Sequence, residues 1–145
     1  MAVGNAQPYN SSQATLLKNN WESAGFYAVL LDNAYTPSDA HDTYSDVSAN
    51  ECTDTDYDQK DLTSEAITTT GADTYIDSAD VSFGANVTIS ARYFAVLQGD
   101  AATPAATDEL VFYVDLSTGG GNVSSTNATF SVLAPTNGWI KVTHS

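Results

Sequence analysis

The chain is poor in cations. Lys18, Lys60, Arg92 and Lys141 stand against 18 acidic residues in a length of 145, for a formal charge of -14. An electrostatic grip on DNA or RNA needs a basic patch to neutralise phosphates. Four scattered cations supply none, so no nucleic-acid partner is expected. Docking on an anionic membrane surface is disfavoured for the same reason, whereas a basic protein surface is allowed. Cysteine is scarcer still: Cys52 stands alone. That excludes an internal disulfide framework and removes the need for an oxidising compartment. Long hydrophobic runs are missing too, and no segment reaches the about 18 apolar residues of a membrane-spanning helix. Residues 1–13 have neither the basic start nor the apolar stretch of a secretory signal. The chain is therefore expected to be made in the cytoplasm, with its Asn-x-Ser/Thr patterns at Asn10, Asn86, Asn122 and Asn127 unmodified.

Hydrophobic residues make up 42% of the chain, too many for a disordered acidic tail. The length fits one domain, 1–145, on a prior of roughly 100–200 residues per domain, and suffices for a core without staples. Abundant Thr, Tyr and Val with little Lys favour strands over helices. Residues 1–13 read as an extended N-terminal arm. Residues 11–22 read as one short helix, with Ser11 or Ser12 as N-cap and Ala14, Leu17 and Trp21 on one face. Gly25 ends it. Residues 26–31 form an apolar run that predicts a buried central strand.

Residues 33–65 are polar and lack periodicity, which predicts either a functional excursion or short edge strands held by Tyr35, Tyr44 and Tyr57. Strands are expected at 66–70 and 80–84, then in one long strand from Val87 into the apolar run 93–97. Further strands are expected at 109–116, with Leu110, Phe112 and Val114 on one face, at 128–133 and at 139–142. Asn137-Gly138 signals a tight turn between two strands. Strands at this spacing predict a mainly β chain, an antiparallel β-sandwich or barrel-like domain.

Several residue groups have the types that chemistry uses. Asp54, Asp56 and Asp58 alternate, and Glu65 stands where a calcium loop places its bidentate acid. Gln59 replaces the glycine that such a loop needs for its sharp turn, and Lys60 adds a positive charge. A solvated acidic loop is the expectation. Asp73, Asp77, Asp80 and Asp115 lie near strand ends, where paired carboxylates do acid–base work in sugar hydrolases, but nothing sets which two face each other. His41, Asp42 and Ser45 have triad types without the elbow that exposes a serine nucleophile. His41, His144 and Cys52 make a poor zinc set. The acids flanking Cys52 are expected to raise its pKa. Gly119–Gly121 lacks the Lys-Ser/Thr ending of a phosphate loop and reads as a hairpin turn. The tyrosines with Trp21 or Trp139 offer a sugar-stacking platform or an interface hot spot, although core packing is expected for most of them. No catalytic, cofactor or metal residue is assigned.

Five stretches carry a resemblance. They are Thr36-Pro-Ser-Asp-Ala-His-Asp-Thr-Tyr-Ser-Asp-Val, Asn50-Glu51, Asp80-Val-Ser-Phe, Ile89-Ser-Ala-Arg-Tyr and Val111-Phe-Tyr-Val-Asp-Leu. In type and order they resemble small virion structural proteins of tailed bacteriophages, over most of residues 16–133. Segment 53–61 departs from the pattern, being more acidic than a Gly-rich turn. The resemblance implies a non-enzymatic capsid decoration, or cement, protein on the virion surface. Its partners would be the major capsid protein and further copies of itself, in a trimer or other cyclic homo-oligomer, and it brings no catalytic residue or cofactor. The alternatives are a phage tail or head–tail structural protein and an adhesin-like carbohydrate-binding module, with an acid-pair hydrolase behind them.

Overall fold

The computed structural model describes residues 6–8 and 21–143. Ten strands succeed one another: β1 (Gln7–Pro8), β2 (Phe26–Leu31), β3 (Lys60–Asp61), β4 (Ala66–Thr70), β5 (Asp73–Asp77), β6 (Val81–Ala91), β7 (Tyr93–Gln98), β8 (Leu110–Asp115), β9 (Val123–Val132) and β10 (Ile140–Thr143). They make three antiparallel sheets, in the orders β1-β8-β7-β2-β3, β10-β5-β4 and β6-β9. Strands make up 46% of the described residues, so the mainly β, sandwich-like class read from the sequence is the observed one. The N-terminal helix expected over 11–22 lies outside the described residues except for Trp21 and Glu22, which stand in a turn. Of the expected arm, Gln7 and Pro8 are paired, and they lie on this chain's own β8. Among the described residues no helix is long and apolar enough to cross a membrane.

The five-stranded sheet is buried on both faces, which explains why β2 and most of β7 have no polar side. One face carries Phe26, Ala28, Leu30, Phe94, Val96, Phe112 and Val114. It packs against Ile76, Val81, Phe83, Ile89, Phe130, Val132 and Trp139 from the smaller sheets and the turn before β10, with Trp21 buried among them. The other face carries Tyr27, Val29, Leu31, Tyr93, Ala95, Leu97 and Leu110, and is covered by Tyr35 and Val47 from the polar segment that follows β2. That segment is the excursion foreseen over 33–65. Instead of edge strands alone, it holds two single-turn 3₁₀ helices, Tyr44–Asp46 and Ser48–Asn50, and the two-residue β3.

Three expectations need correction. The long strand from Val87 to the 93–97 run is two strands in two sheets, hinged at Arg92. There the Arg92 N–H donates to Leu31 O and the Arg92 carbonyl accepts from Leu116 N, both at 2.8 Å. The chain bends there, and the face expected to run on through Tyr93 divides: Ile89 and Ala91 share a core with Phe94 and Val96, whereas Tyr93 and Ala95 lie in the core on the opposite side of the five-stranded sheet. Next, Leu110 does not share a face with Phe112 and Val114. Val96 pairs with Phe112 and Leu97 with Leu110, so Val111 is an extra residue, and this bulge turns Leu110 toward the opposite core. Finally, Asn137-Gly138 turns, with Gly138 at φ 71, but it makes no hairpin. β9 pairs with β6 and β10 with β5, so the turn passes the chain from one sheet to another. A Cβ on Gly138 would sit 2.6 Å from Ile76 O, so only glycine fits there. The strand expected at 128–133 begins earlier, at Val123, and β5 was not foreseen at all.

Candidate functional site

The densest polar constellation lies under the excursion. Glu51 follows the second 3₁₀ turn and bridges to Leu31, which brings its carboxylate beside β2. Oε2 accepts the Tyr44 hydroxyl at 2.6 Å and Oε1 accepts the Tyr57 hydroxyl at 2.5 Å. Gln59 Nε2 donates to both carboxylate oxygens, at 2.9 and 3.1 Å. Its Oε1 is buried without a partner, and an amide turned the other way would set that oxygen against the carboxylate. The Tyr57 hydroxyl also accepts from Leu30 N at 3.1 Å, so the cluster reaches the backbone of β2. Sequence reading placed Asn50-Glu51 in a pattern without seeing this role. The available signal was an acid among tyrosines at 44 and 57.

Burial is the main reason that the hydroxyls here hold their protons. It pushes Tyr44 up to about 12, with Glu51 adding to the rise. Tyr57 moves further up for the same two reasons, and Tyr27 rises through burial first and then through Asp108, whose Oδ2 accepts its hydroxyl at 2.9 Å. A phenol raised in the folded state stabilises the fold fully below its ordinary value of 10, and this stability is lost as pH rises through 12. In an alkaline titration, phenolate absorbance should therefore rise largely in a cooperative step that coincides with loss of the circular dichroism signal. A smooth titration of all tyrosines in the folded state would contradict the burial. At the acid end, backbone hydrogen bonds from Thr43 and Asp42 hold Asp46 below the usual carboxylate value. Asp73 is lowered chiefly by Lys141. Stability from these two is present above pH 3.8 and lost as pH falls through their lowered values.

The acidic loop is not freely solvated. Asp54 Oδ2 accepts from Ser90 N, and Asp56 Oδ2 from Thr88 N, both at 2.9 Å. Two carboxylates spaced by two residues thus occupy alternate N–H groups along β6, whose other side is paired to β9. Asp58 lines a depression with Lys60 and Asp61, and Glu65 lines another with Asp61 and Asp100. Among the described residues no three metal-ligating side chains converge. Replacing Asp54 and Asp56 together with asparagine should cost about 2 kcal/mol, because neutral acceptors replace charged ones. Added calcium should leave the melting temperature of the unaltered chain unchanged; a clear rise would restore the calcium reading.

The remaining candidates separate. Asp73 pairs with Lys141 at 2.9 Å and Asp115 with Arg92 at 3.1 Å. Asp77 accepts from Ser78 N and Asp80 from Ala134 N, so none of the four is bonded to another acid. His41 Nδ1 bonds to the Tyr35 hydroxyl at 2.9 Å, whereas Ser45 Oγ bonds to Thr43 Oγ1. His41 and Ser45 are therefore near in sequence but bonded to other residues. His144 lies outside the described residues. Cys52 is buried, donates to Ser90 O, and is pushed up to about 12 by burial first and by Asp54, Asp32 and Glu51 after it. Gly120 and Gly121 turn at φ 81 and 82. Trp21, Trp139, Tyr27, Tyr35 and Tyr93 are core residues, as expected for most of the aromatics.

No protein-family model, curated protein or solved structure matches this chain. Its reading rests on the geometry, where one pattern recurs. Among the described residues, at least eleven of the 18 acidic residues accept a hydrogen bond from a main-chain N–H. Five of these bonds tie separate elements: Glu22 to Ile67, Asp54 to Ser90, Asp56 to Thr88, Asp61 to Ala101 and Asp80 to Ala134. The arrangement cross-braces loops and strand edges.

Proposed function

We propose that the chain is a non-enzymatic structural protein of a tailed-phage virion, a capsid decoration protein that binds the outer surface of the major capsid lattice and stabilises the shell. The observation that carries this reading is the cross-bracing by carboxylates. Acids that would serve a hydrolase are held in structural bonds, and the loops they tie become stiff. A shell-stabilising protein needs stiffness, since a rigid surface loses little conformational entropy on docking. The residue pattern shared with small virion proteins supports the same reading. A ligand that binds the expanded shell better than its alternatives stabilises it by mass action.

The test is binding to purified expanded capsids that lack this protein, with bound copies counted against the major shell protein by quantitative mass spectrometry. Saturation at a fixed ratio, in hundreds of copies per particle, is expected. Absence of saturable binding would overturn the reading. Saturation at about a dozen copies would move the protein to the head–tail junction, where ring symmetry sets the count.

A further inference from the structure

The stretch from Leu116 to Ile140 contains no Asp, Glu, Lys, Arg or His, in a chain whose net charge is -14. It comprises the glycine turn, all of β9 and the turn into β10. β9 is ten residues long, and among the described residues its sheet ends there, with β6 on one side and no strand on the other. Neighbouring edges are treated differently. Cys52 N and Leu62 N bond to carbonyls of β2, β1 lies on β8, the Asp54 and Asp56 carboxylates occupy β6, and Glu22 binds Ile67 N on β4. Along β9 runs a groove of about 460 Å³, with Leu116 and Phe130 in its floor and Ser124, Thr129 and Gly119 among its walls. The strand has neither the lysine nor the proline that usually guards an open edge. Its irregularity is Asn127, at φ 47, and groove residues lie on both sides of it.

We propose that a second copy of this chain docks on the outer edge of β9, adding its own β9 in antiparallel fashion. The result is a four-stranded β6-β9-β9-β6 sheet about a two-fold axis. Charge selects this occupant. Two copies at -14 repel, and net charge of that size keeps proteins apart. Screening acts over about 8 Å at physiological salt, so copies approach most easily where no carboxylate faces another. A basic partner would instead choose the acidic loops. The neutral serines and threonines of β9 suit cross-strand hydrogen bonding between copies. Leu133, which directly follows β9 and is 57% exposed, is the apolar group such a contact would cover. The proposal stands independently of the capsid reading.

Sedimentation equilibrium of the full chain tests it. The expected result is a reversible dimer that tightens as salt rises. Thr129→Asp, which sets like charges across the axis, should weaken it at least tenfold while circular dichroism stays unchanged. Thr68→Asp, on an exposed strand position away from β9, should leave it intact. As a check that needs no variant, amide exchange in β9 should slow as protein concentration rises. A monomer at every concentration and salt, or a dimer indifferent to Thr129→Asp, would overturn the proposal. So would β9 amides that slow only when capsids are added, because another chain would then occupy the edge.

Discussion

Replacing Trp139 with alanine is expected to remove about 3–5 kcal/mol of folding stability, the range for deleting a large buried aromatic. The indole is 3% exposed and lies between layers rather than within one. It stacks on Phe94 of β7 at 5.1 Å and on Phe112 of β8 at 5.8 Å. Its Nε1–H donates to Ser78 Oγ at 2.8 Å, and its backbone N–H to Ile76 O. One residue thus joins the five-stranded sheet to the β10-β5-β4 sheet by ring contact and to the β5–β6 connection by a polar bond. Alanine leaves a cavity that the stacked rings cannot close without moving whole strands. Phenylalanine keeps part of the stacking and gives up the Ser78 bond, so it should cost less, near 1–2 kcal/mol. Urea unfolding of the two variants checks both the size and the order. A loss below about 1 kcal/mol for alanine would mean that the layers are held elsewhere. Domains of this size have total stabilities of about 5–15 kcal/mol, so the alanine variant should be close to unfolding at elevated temperature.

The elements that were legible in the sequence share a physical feature: their burial pattern is local. β2 has both faces apolar over six residues, and β8 is an apolar run bounded by Glu109 and Ser117. Those signals survive any arrangement of neighbours. What was not legible depended on partners. β5, Asp-Thr-Tyr-Ile-Asp, buries only Ile76, so it carries no period of its own and is a strand because β4 and β10 flank it. The break at Arg92 is invisible in the sequence, since the alternating run from Val87 leads straight into a stretch that is apolar on both faces, and only the partners show that Ala91 and Tyr93 belong to different cores. Val111 looks like any apolar residue in an apolar run, and only pairing with β7 reveals it as a bulge. The acidic loop shows the same limit in chemistry. Alternating aspartates at 54 and 56 are equally suited to a cation and to a row of N–H groups, and the choice was made by the edge of β6 lying beside them. Cys52 was legible because its raised pKa follows from burial and from neighbours at 51 and 54, both close in sequence.

The Glu51 cluster gives the second large expected effect, and it separates a brace from a passive contact. Tyr57→Phe removes one oxygen that does two things: it donates to Glu51 and accepts from Leu30 N. Leu30 is fully buried in β2, so its N–H is left without an acceptor. A stranded donor costs about 1–3 kcal/mol. Glu51→Ala removes the common acceptor of Tyr44, Tyr57 and Gln59, and should cost about 3 kcal/mol on the same scale. The two substitutions share a hydrogen bond, so their effects should not add. The double variant is expected to be more stable than the sum of the singles implies, by roughly 1 kcal/mol or more. Additive losses would show that the short Tyr57–Glu51 contact carries no coupling. Amide exchange distinguishes where the stability goes. If the cluster braces the excursion over β2, Leu30 and Asp32, whose N–H groups are held by Tyr57 and Asn50, should exchange faster in Tyr57→Phe while the β6–β9 amides keep their rates. Uniform acceleration across the chain would instead mean that the brace contributes only to global stability, and that the excursion does not open as a unit.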